Sequence, residues 1–467
     1  MATVSDFDIA VIGGGPGGYS TAIRAAQLGF STVLVESAEL GGVCLNWGCI
    51  PTKALLHCAE LIADIGSASQ FGIEASVDSI DLEAMVRHSR QTAGKLSKGV
   101  EFLLRKNKVT HLSGHGSIPE KGKLAVTTST GEQQEYRVPH IIVATGARLK
   151  QLPSLPSDDS RIWDARAAMT ATTRPDHLVV IGAGAIGVEF ASFYSDIGAQ
   201  VTLVEAADRV VPTEDPEISE RMAKALAKRG IDCRTRTRFA SMDAMPDSLT
   251  VNVTKSDGSD GAIACDRLLV AVGVDGNIEG MGLEALGLDT DKGSIVTGAY
   301  GETNVAGVYA IGDVAGAPWL AHKAVHEGIA CIEHIAGMDI KPAGERLIPG
   351  CIYARPQIAS IGLSEPAAKA AGKKIKVGRF DLTANGKALA AGHSDGLIKT
   401  IVDQQTGELL GAHMIGHGVS EQIQGFALAM GAEITTEEFA ETVFPHPTIS
   451  EAMHEAVLDA EGIAVNH

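Results

Sequence analysis

The chain has 467 residues, enough for about three domains at roughly 150 residues each. Acidic residues outnumber basic ones, 57 to 39, for a net charge of −18, and aromatics are only 4%. A nucleic-acid backbone would be repelled and would find few stacking platforms, so that partner class is excluded. No apolar run approaches the ~18 residues of a membrane helix, the longest being the glycine-containing stretch 178–188, and the N-terminus carries no basic-then-apolar leader. A cytoplasmic chain with no nucleic-acid or membrane partner is expected. Glycine is over-represented, at 53 residues against a typical ~7% of a chain.

Residues 7–36 read as an apolar strand, a turn with Gly13, Gly15 and Gly18, an Ala-rich helix and a second apolar strand ending in Glu36. This is a dinucleotide-binding pattern. The glycines permit a tight turn and let the backbone approach a pyrophosphate, the helix N-terminus offers free N–H groups, and the acidic residue suits ribose hydroxyls.

Next comes Cys44-Leu-Asn-Trp-Gly-Cys49-Ile-Pro-Thr-Lys53. Five residues of regular helix rise ~7.5 Å and turn ~500°, which puts the two cysteines on different faces. A disulfide needs Cα atoms about 4.4 to 6.8 Å apart, so the pair would bridge only across a distorted turn, for which Asn46, Gly48 and Pro51 are suited. A helix N-terminus and Lys53 would both favour a thiolate. Zinc is a poorer reading, since only His57 and Cys58 lie nearby at an unusual spacing, and no metal is expected. Cys58, Cys233, Cys265, Cys331 and Cys351 read as buried apolar residues. Seven cysteines in a long chain do not form a secreted disulfide framework.

The strand 140–146 ends in Thr145-Gly146. Residues 177–205 then repeat the first unit with Gly182, Gly184, Gly187 and Glu205, and in both copies the acidic residue follows the first glycine by 23 positions. A partner strand, 267–273, ends in Gly273, and a further strand, 307–313, ends in Asp313. Ligands of open α/β sheets bind outside the carboxyl ends of strands, which places Asp313 at a cofactor; the alternative is a turn or helix cap. From about residue 346, alternating stretches at 397–403 and 409–415 predict an antiparallel sheet covered by helices, a separate α+β unit. Linkers are expected near 153–159, 274–279 and 342–346.

The two dinucleotide units, Gly-Gly-Val-Cys44-Leu-Asn-Trp-Gly-Cys49-Ile-Pro-Thr-Lys53, the Ala-Thr-Gly146 strand, Ile-Gly-Asp313 and Phe444-Pro-His-Pro-Thr448 together resemble the pyridine nucleotide-disulfide oxidoreductases, over essentially the whole chain. The resemblance implies an α/β fold with two Rossmann-like FAD/NAD(P)-binding domains and a C-terminal α+β dimerisation domain. Residues 1–150 would bind FAD and carry the redox disulfide, 151–276 would bind NAD, 277–345 would complete the FAD site, and 346–467 would form the interface. FAD would be held by Gly13, Gly15, Gly18, Glu36, Lys53, Gly116, Thr145, Gly146, Asp313 and Ala321. NAD would be held by Gly182, Gly184, Gly187, Glu189, Glu205 and Gly273. A carboxylate at Glu205 suits a free ribose 2′-hydroxyl and repels the extra phosphate of NADP, although Arg209 lies four residues on.

The resemblance also implies roles. Cys44 would form the mixed disulfide with a substrate dithiol, and Cys49 would face the flavin as the released thiolate. Lys53 would stabilise charge near the flavin and pair with Glu189. His446, between Pro445 and Pro447, would be the general base, serving the disulfide of a partner subunit in a homodimer. Glu451 would hydrogen-bond its ring, or else close a capping box with Thr448. Residues 50–55 and 446–452 are most similar to family members that oxidise dihydrolipoamide with NAD⁺ in 2-oxoacid dehydrogenase or glycine cleavage complexes, where the partner is the lipoyl-bearing acyltransferase. A glutathione reductase-like enzyme is disfavoured by Glu205, and a noncatalytic flavin-binding sensor or structural subunit by the retained Cys44, Cys49, His446 and Glu451.

Overall fold

The computed structural model describes residues 6–156, 158–342 and 348–466. The expected boundary between 345 and 346, most of the linker 342–346 and residue 157 of the linker 153–159 lie outside the described residues. Contacts gather the chain into two compact units, one from Met1–Leu55, Glu83–Lys150 and Gly273–Ala343, the other from Leu56–Leu82, Gln151–Val272 and Gly344–His467.

The first unit is built on a five-stranded parallel sheet in the order Val308–Ala310, His140–Val143, Ile9–Ile12, Thr32–Glu36, Thr110–Ser113. Ile9–Ile12 is buried at every position, as expected for a parallel strand covered on both faces. The strand direction of travel reverses beside it, since the chain first moves to Thr32–Glu36 on one side and later returns to His140–Val143 on the other. That reversal opens the crevice in which doubly wound sheets bind ligands. Helix Pro16–Gln27, started by Pro16 at its first turn, covers one face, and a meander of His115–Glu120, Lys123–Thr127 and Gln133–Arg137 packs its apolar side chains into the core of the other.

The second unit repeats the plan. A parallel sheet runs Asp232–Arg234, Gln200–Val204, His177–Ile181, Arg267–Val270, Ile162–Trp163, with helix Ala185–Asp196 in the position that Pro16–Gln27 holds in the first. The same unit contains a five-stranded antiparallel sheet, Gly350–Ile352, Gln357–Gly362, Leu409–Gly416, Leu397–Asp403, Ile375–Asp381, with helices Val419–Gly431 and Glu451–Ala460 in its main core.

The antiparallel sheet expected from the alternating stretches at 397–403 and 409–415 is present, and every residue of Leu397–Asp403 and Leu409–Gly416 is buried. Thr400 Oγ1 donates to Ala456 O on one side (2.9 Å), while Lys399 Nζ on the other reaches Asp215 at the start of helix Pro216–Lys228 (2.9 Å). Both faces are covered, and the polar positions are satisfied by partners instead of water. Among the described residues no helix is long and apolar enough to cross a membrane.

Candidate active site

Both glycine turns have the same construction. Gly13 (φ +110°) and Gly182 (φ +100°) are left-handed, and a Cβ on either would lie 2.3 Å from a carbonyl oxygen, that of Ala144 or Ala271. A Cβ on Gly18 or Gly187 would lie 1.9 Å from the carbonyl oxygen of Gly13 or Gly182, so each helix approaches its turn as only glycine allows. Glu36 accepts the N–H groups of Gly14 (2.6 Å) and Ala38 (2.7 Å), and Glu205 those of Ala183 and Ala207 (both 2.7 Å). Helices Pro16–Gln27 and Ala185–Asp196 start at Gly15 and Gly184 with no side-chain cap and no acid in the first turn. By contrast, Asp164, Asp215 and Ser364 cap their helices. Uncapped N–H donors at the positive end of a helix dipole suit a pyrophosphate, and these residues fit two dinucleotides. The Arg209 guanidinium is engaged with Pro212 O (3.2 Å) and Asp208 (3.4 Å).

Cys44 lies in the short helix Gly42–Trp47, and Cys49 opens helix Cys49–Ser67. Gly48 between them leaves helical geometry (φ −154°, ψ −110°). The break brings the two Cα atoms to 4.7 Å, and the cysteines form a disulfide; the distorted turn demanded by the spacing is therefore at Gly48. Both cysteines and Lys53 are half-buried. Asn46, 4% exposed, is a hub between them. Its Nδ2 donates to Leu40 O (3.0 Å) and Gly42 O (3.1 Å), and its Oδ1 accepts from Ser97 Oγ (2.8 Å). Of the other cysteines, Cys265 and Cys331 are buried, but Cys58, Cys233 and Cys351 are only partly so, a correction to the expectation that all five are buried. Burial pushes the Cys233 and Cys265 thiols up to about 11, which leaves them poor nucleophiles.

Asp313 lies in the turn Gly312–Ala315, which follows strand Val308–Ala310 and has no side-chain cap. Burial holds its carboxyl above the usual range against the pull of Lys323, and Glu327 adds to the rise. Lys323, 3% exposed, pairs with Glu327 (2.8 Å) and donates to Gly316 O (3.2 Å), while Glu327 accepts Gly312 N–H (2.8 Å). Sequence reasoning missed this pair, although its i,i+4 spacing was a signal. Thr145 Oγ1 donates to Asn277 O (2.7 Å), and Asn277 returns bonds to Thr145 O (2.9 Å) and Gly146 O (3.0 Å). A Cβ on Gly116 would meet Ile12 Cγ2 at 2.9 Å. Ala321 opens helix Ala321–Ile335, and Gly273 (φ +109°) accepts Lys150 N–H at 2.9 Å.

In the second unit Glu189 is 6% exposed and accepts Tyr353 N–H at 2.9 Å. His446 Nδ1 lies 2.9 Å from Glu451 Oε1, and Glu451 Oε2 accepts Thr448 N–H at 2.8 Å. The two readings of Glu451 are thus not exclusive, because one carboxylate serves both the ring and the backbone. Burial disfavours its charge, but the Thr448 N–H and His446 outweigh this and hold its pKa below the usual value. Nδ1–H donated to a carboxylate leaves Nε2 as the ring's basic nitrogen. The His446 side chain is 79% exposed. Among the described residues no group of three or more His, Cys, Asp or Glu is arranged to hold a metal ion.

Two dinucleotide turns, a disulfide set at a helix break and an antiparallel sheet packed with helices define a flavin-dependent disulfide oxidoreductase architecture, and the chain belongs to the pyridine nucleotide-disulphide oxidoreductases. The family model matches residues 7–328, and the model for the family's dimerisation domain matches residues 348–457. Two proteins named dihydrolipoyl dehydrogenase, from Rhizobium etli and Zymomonas mobilis, are each 48% identical to this chain, covering 98% of it and 99% of themselves. A third of that name, from Bacillus subtilis, is 40% identical over the full length of both. The crystal structure of LpdA from Mycobacterium tuberculosis superposes with a TM-score of 0.90 at 27% identity, covering 96% of this chain and 99% of that one.

Proposed function

We propose that the chain works as a dihydrolipoyl (dihydrolipoamide) dehydrogenase, oxidising protein-bound dihydrolipoamide to lipoamide and reducing NAD⁺ to NADH. The observation that carries this reading is the Cys44–Cys49 disulfide, held on the first dinucleotide unit of a chain 48% identical to enzymes of that name. When bound, FAD and NAD⁺ would supply the hydride chemistry that takes the electron pair from the cysteines.

The polypeptide performs the thiol chemistry. A substrate thiol with an ordinary pKa of ~8.5 is mostly protonated at neutral pH, whereas the attacking species is the thiolate. His446 Nε2 takes the proton, and Glu451 orients the ring and stabilises the imidazolium. The thiolate attacks Cys44 Sγ, the Cys44–Cys49 bond breaks, and Cys49 leaves as a thiolate. The second substrate thiol attacks the substrate sulfur of the mixed disulfide, and its proton passes to the departing Cys44 sulfur while His446 keeps the first. This attack closes the lipoamide ring and releases Cys44, so two electrons now reside on the cysteine pair.

On the same reading Glu36 and Glu205 hold the two adenosine riboses, Asp313 the ribityl chain and Gly116, Thr145, Gly146 and Ala321 the remaining FAD contacts. Lys53 would stabilise negative charge on the bound flavin, and Glu189 and Gly273 would help to hold the NAD⁺. The protein is a cytoplasmic homodimer in which His446 acts on the partner subunit's disulfide, and its substrate arrives on the lipoyl-bearing acyltransferase of a 2-oxoacid dehydrogenase or glycine cleavage complex. The dimerisation-domain match and the exposed imidazole support this arrangement.

A side-by-side assay tests the proposal, with dihydrolipoamide and NAD⁺, glutathione disulfide and NADPH, and NADH and oxygen. Turnover of the first pair is expected. Activity only with glutathione disulfide, or a yellow protein with no thiol-dependent flavin reduction, would overturn it.

A further inference from the structure

The turn between the two cysteines is held from outside. Its helix, Gly42–Trp47, is only six residues long and ends at the Gly48 break, and carbonyls in a last helical turn have no i+4 N–H within their own helix. Arg90, from helix Leu82–Lys106, fills this gap. Its Nη1 donates to Asn46 O, and its guanidinium carbon lies 3.9 Å from the Trp47 ring centroid. Ser97, two turns further along the same helix, holds the Asn46 side chain (2.8 Å), and Glu39 accepts Trp47 Nε1–H (3.2 Å). The peptide that spaces Cys44 from Cys49 is therefore clamped on its carbonyl, its amide side chain and its indole.

We infer that Arg90 is a positioning residue for the redox pair, setting the dithiol–disulfide equilibrium by keeping the two sulfurs close when they are reduced. A disulfide forms in proportion to the effective concentration of one thiol at the other. With the disulfide open, only the peptide links through Gly48 join Gly42–Trp47 to Cys49, and a helix of this length has little stability of its own. Arg90 and Ser97 supply that restraint from a long helix elsewhere in the unit. A planar guanidinium performs both tasks at once, stacking on the indole while a fork N–H reaches the carbonyl, and a lysine ammonium cannot. The sign of the effect separates geometry from charge. Loss of a nearby cation would favour the disulfide by destabilising thiolates, whereas loss of the clamp disfavours it.

The inference rests on Cys44 and Cys49 being the working redox pair. The test is the dithiol–disulfide potential of the flavin-loaded enzyme in dithiothreitol buffers, read by alkylation and mass analysis of the peptide holding both cysteines. Arg90→Met and Arg90→Lys are each expected to lower the equilibrium constant for disulfide formation about tenfold, a potential about 30 mV less negative, and Ser97→Ala should shift it less in the same direction. An unchanged potential in Arg90→Met, a shift to more negative values, or a wild-type potential in Arg90→Lys would overturn the inference. A wild-type pair that neither titrates nor turns over would instead overturn the functional proposal.

Discussion

Glu451 divides its carboxylate between two neighbours, with Oε1 2.9 Å from His446 Nδ1 and Oε2 accepting the backbone N–H of Thr448 at 2.8 Å. On the proposed mechanism one contact is catalytic and the other structural, and substitution separates the two. Glu451→Gln retains an oxygen acceptor but loses the charge that supports the imidazolium, so kcat for dihydrolipoamide should fall about 10-fold with thermal stability nearly unchanged. Glu451→Ala should cost about 100-fold in kcat and about 1 kcal/mol of stability from the lost backbone acceptor. Steady-state rates and melting curves check both; equal rates for the two variants and wild type would remove Glu451 from the mechanism.

The glycine turns give a paired test of the cofactor assignment. A Cβ at Gly18 or Gly187 would sit 1.9 Å from a carbonyl oxygen, and such overpacking typically costs about 1–3 kcal/mol. Gly18→Ala should purify with reduced flavin content. Gly187→Ala should keep its flavin and raise KM for NAD⁺ by about 10-fold or more. Flavin stoichiometry and NAD⁺ saturation curves read the two effects, and the opposite pattern would exchange the two sites.

Glu205 accepts two backbone N–H groups at 2.7 Å, which fixes its carboxylate at the end of strand Gln200–Val204. A charged hydrogen bond to a ribose hydroxyl contributes about 1.5–3 kcal/mol. Glu205→Ala should therefore reduce the preference for NAD⁺ over NADP⁺ by about 10- to 100-fold, measured as the ratio of the two kcat/KM values.

Lys399, 3% exposed, is surrounded by Asp215 (2.9 Å), Glu217 (3.1 Å) and Glu365 (2.8 Å). Lys399→Met would leave a fully buried Asp215 with its principal cation gone, and breaking such a pair costs about 3–5 kcal/mol. The pH dependence follows from Glu365, which Lys369 and then Lys399 lower from 4.5 to about 2. Because the folded value is depressed, this stability is present above pH 4.5 and disappears as pH falls from 4.5 toward 2. The stability gap between wild type and Lys399→Met should thus be largest near neutrality and narrow below pH 4.5, as read from urea midpoints at several pH values. A gap that does not change with pH would contradict an electrostatic role.

The chemistry of the site was more legible in the sequence than its support. Gly13, Gly18 and Glu36 lie within one βαβ unit, and so do Gly182, Gly187 and Glu205, so spacing alone relates the members of each set. The His446–Glu451 contact spans five residues and was equally local. Which groups cover strand Leu397–Asp403, buried at every residue, was not legible, because alternation records which side chains share a face and says nothing of the partners of each face.

The sequence by itself determined the two dinucleotide turns, the acidic residue that ends the second strand of each and the need for a distorted turn between Cys44 and Cys49. Each depends on interactions within a few dozen residues, whose geometry follows from helix rise, strand period and the freedom of glycine. Only the tertiary structure decided where that distortion falls, which groups clamp it and how Lys399 is neutralised. Arg90 meets Asn46 across 44 residues and Lys399 meets Asp215 across 184. Pairings over such distances leave no periodic trace in the chain, because they are chosen when the layers pack and each buried charge or carbonyl must find a partner.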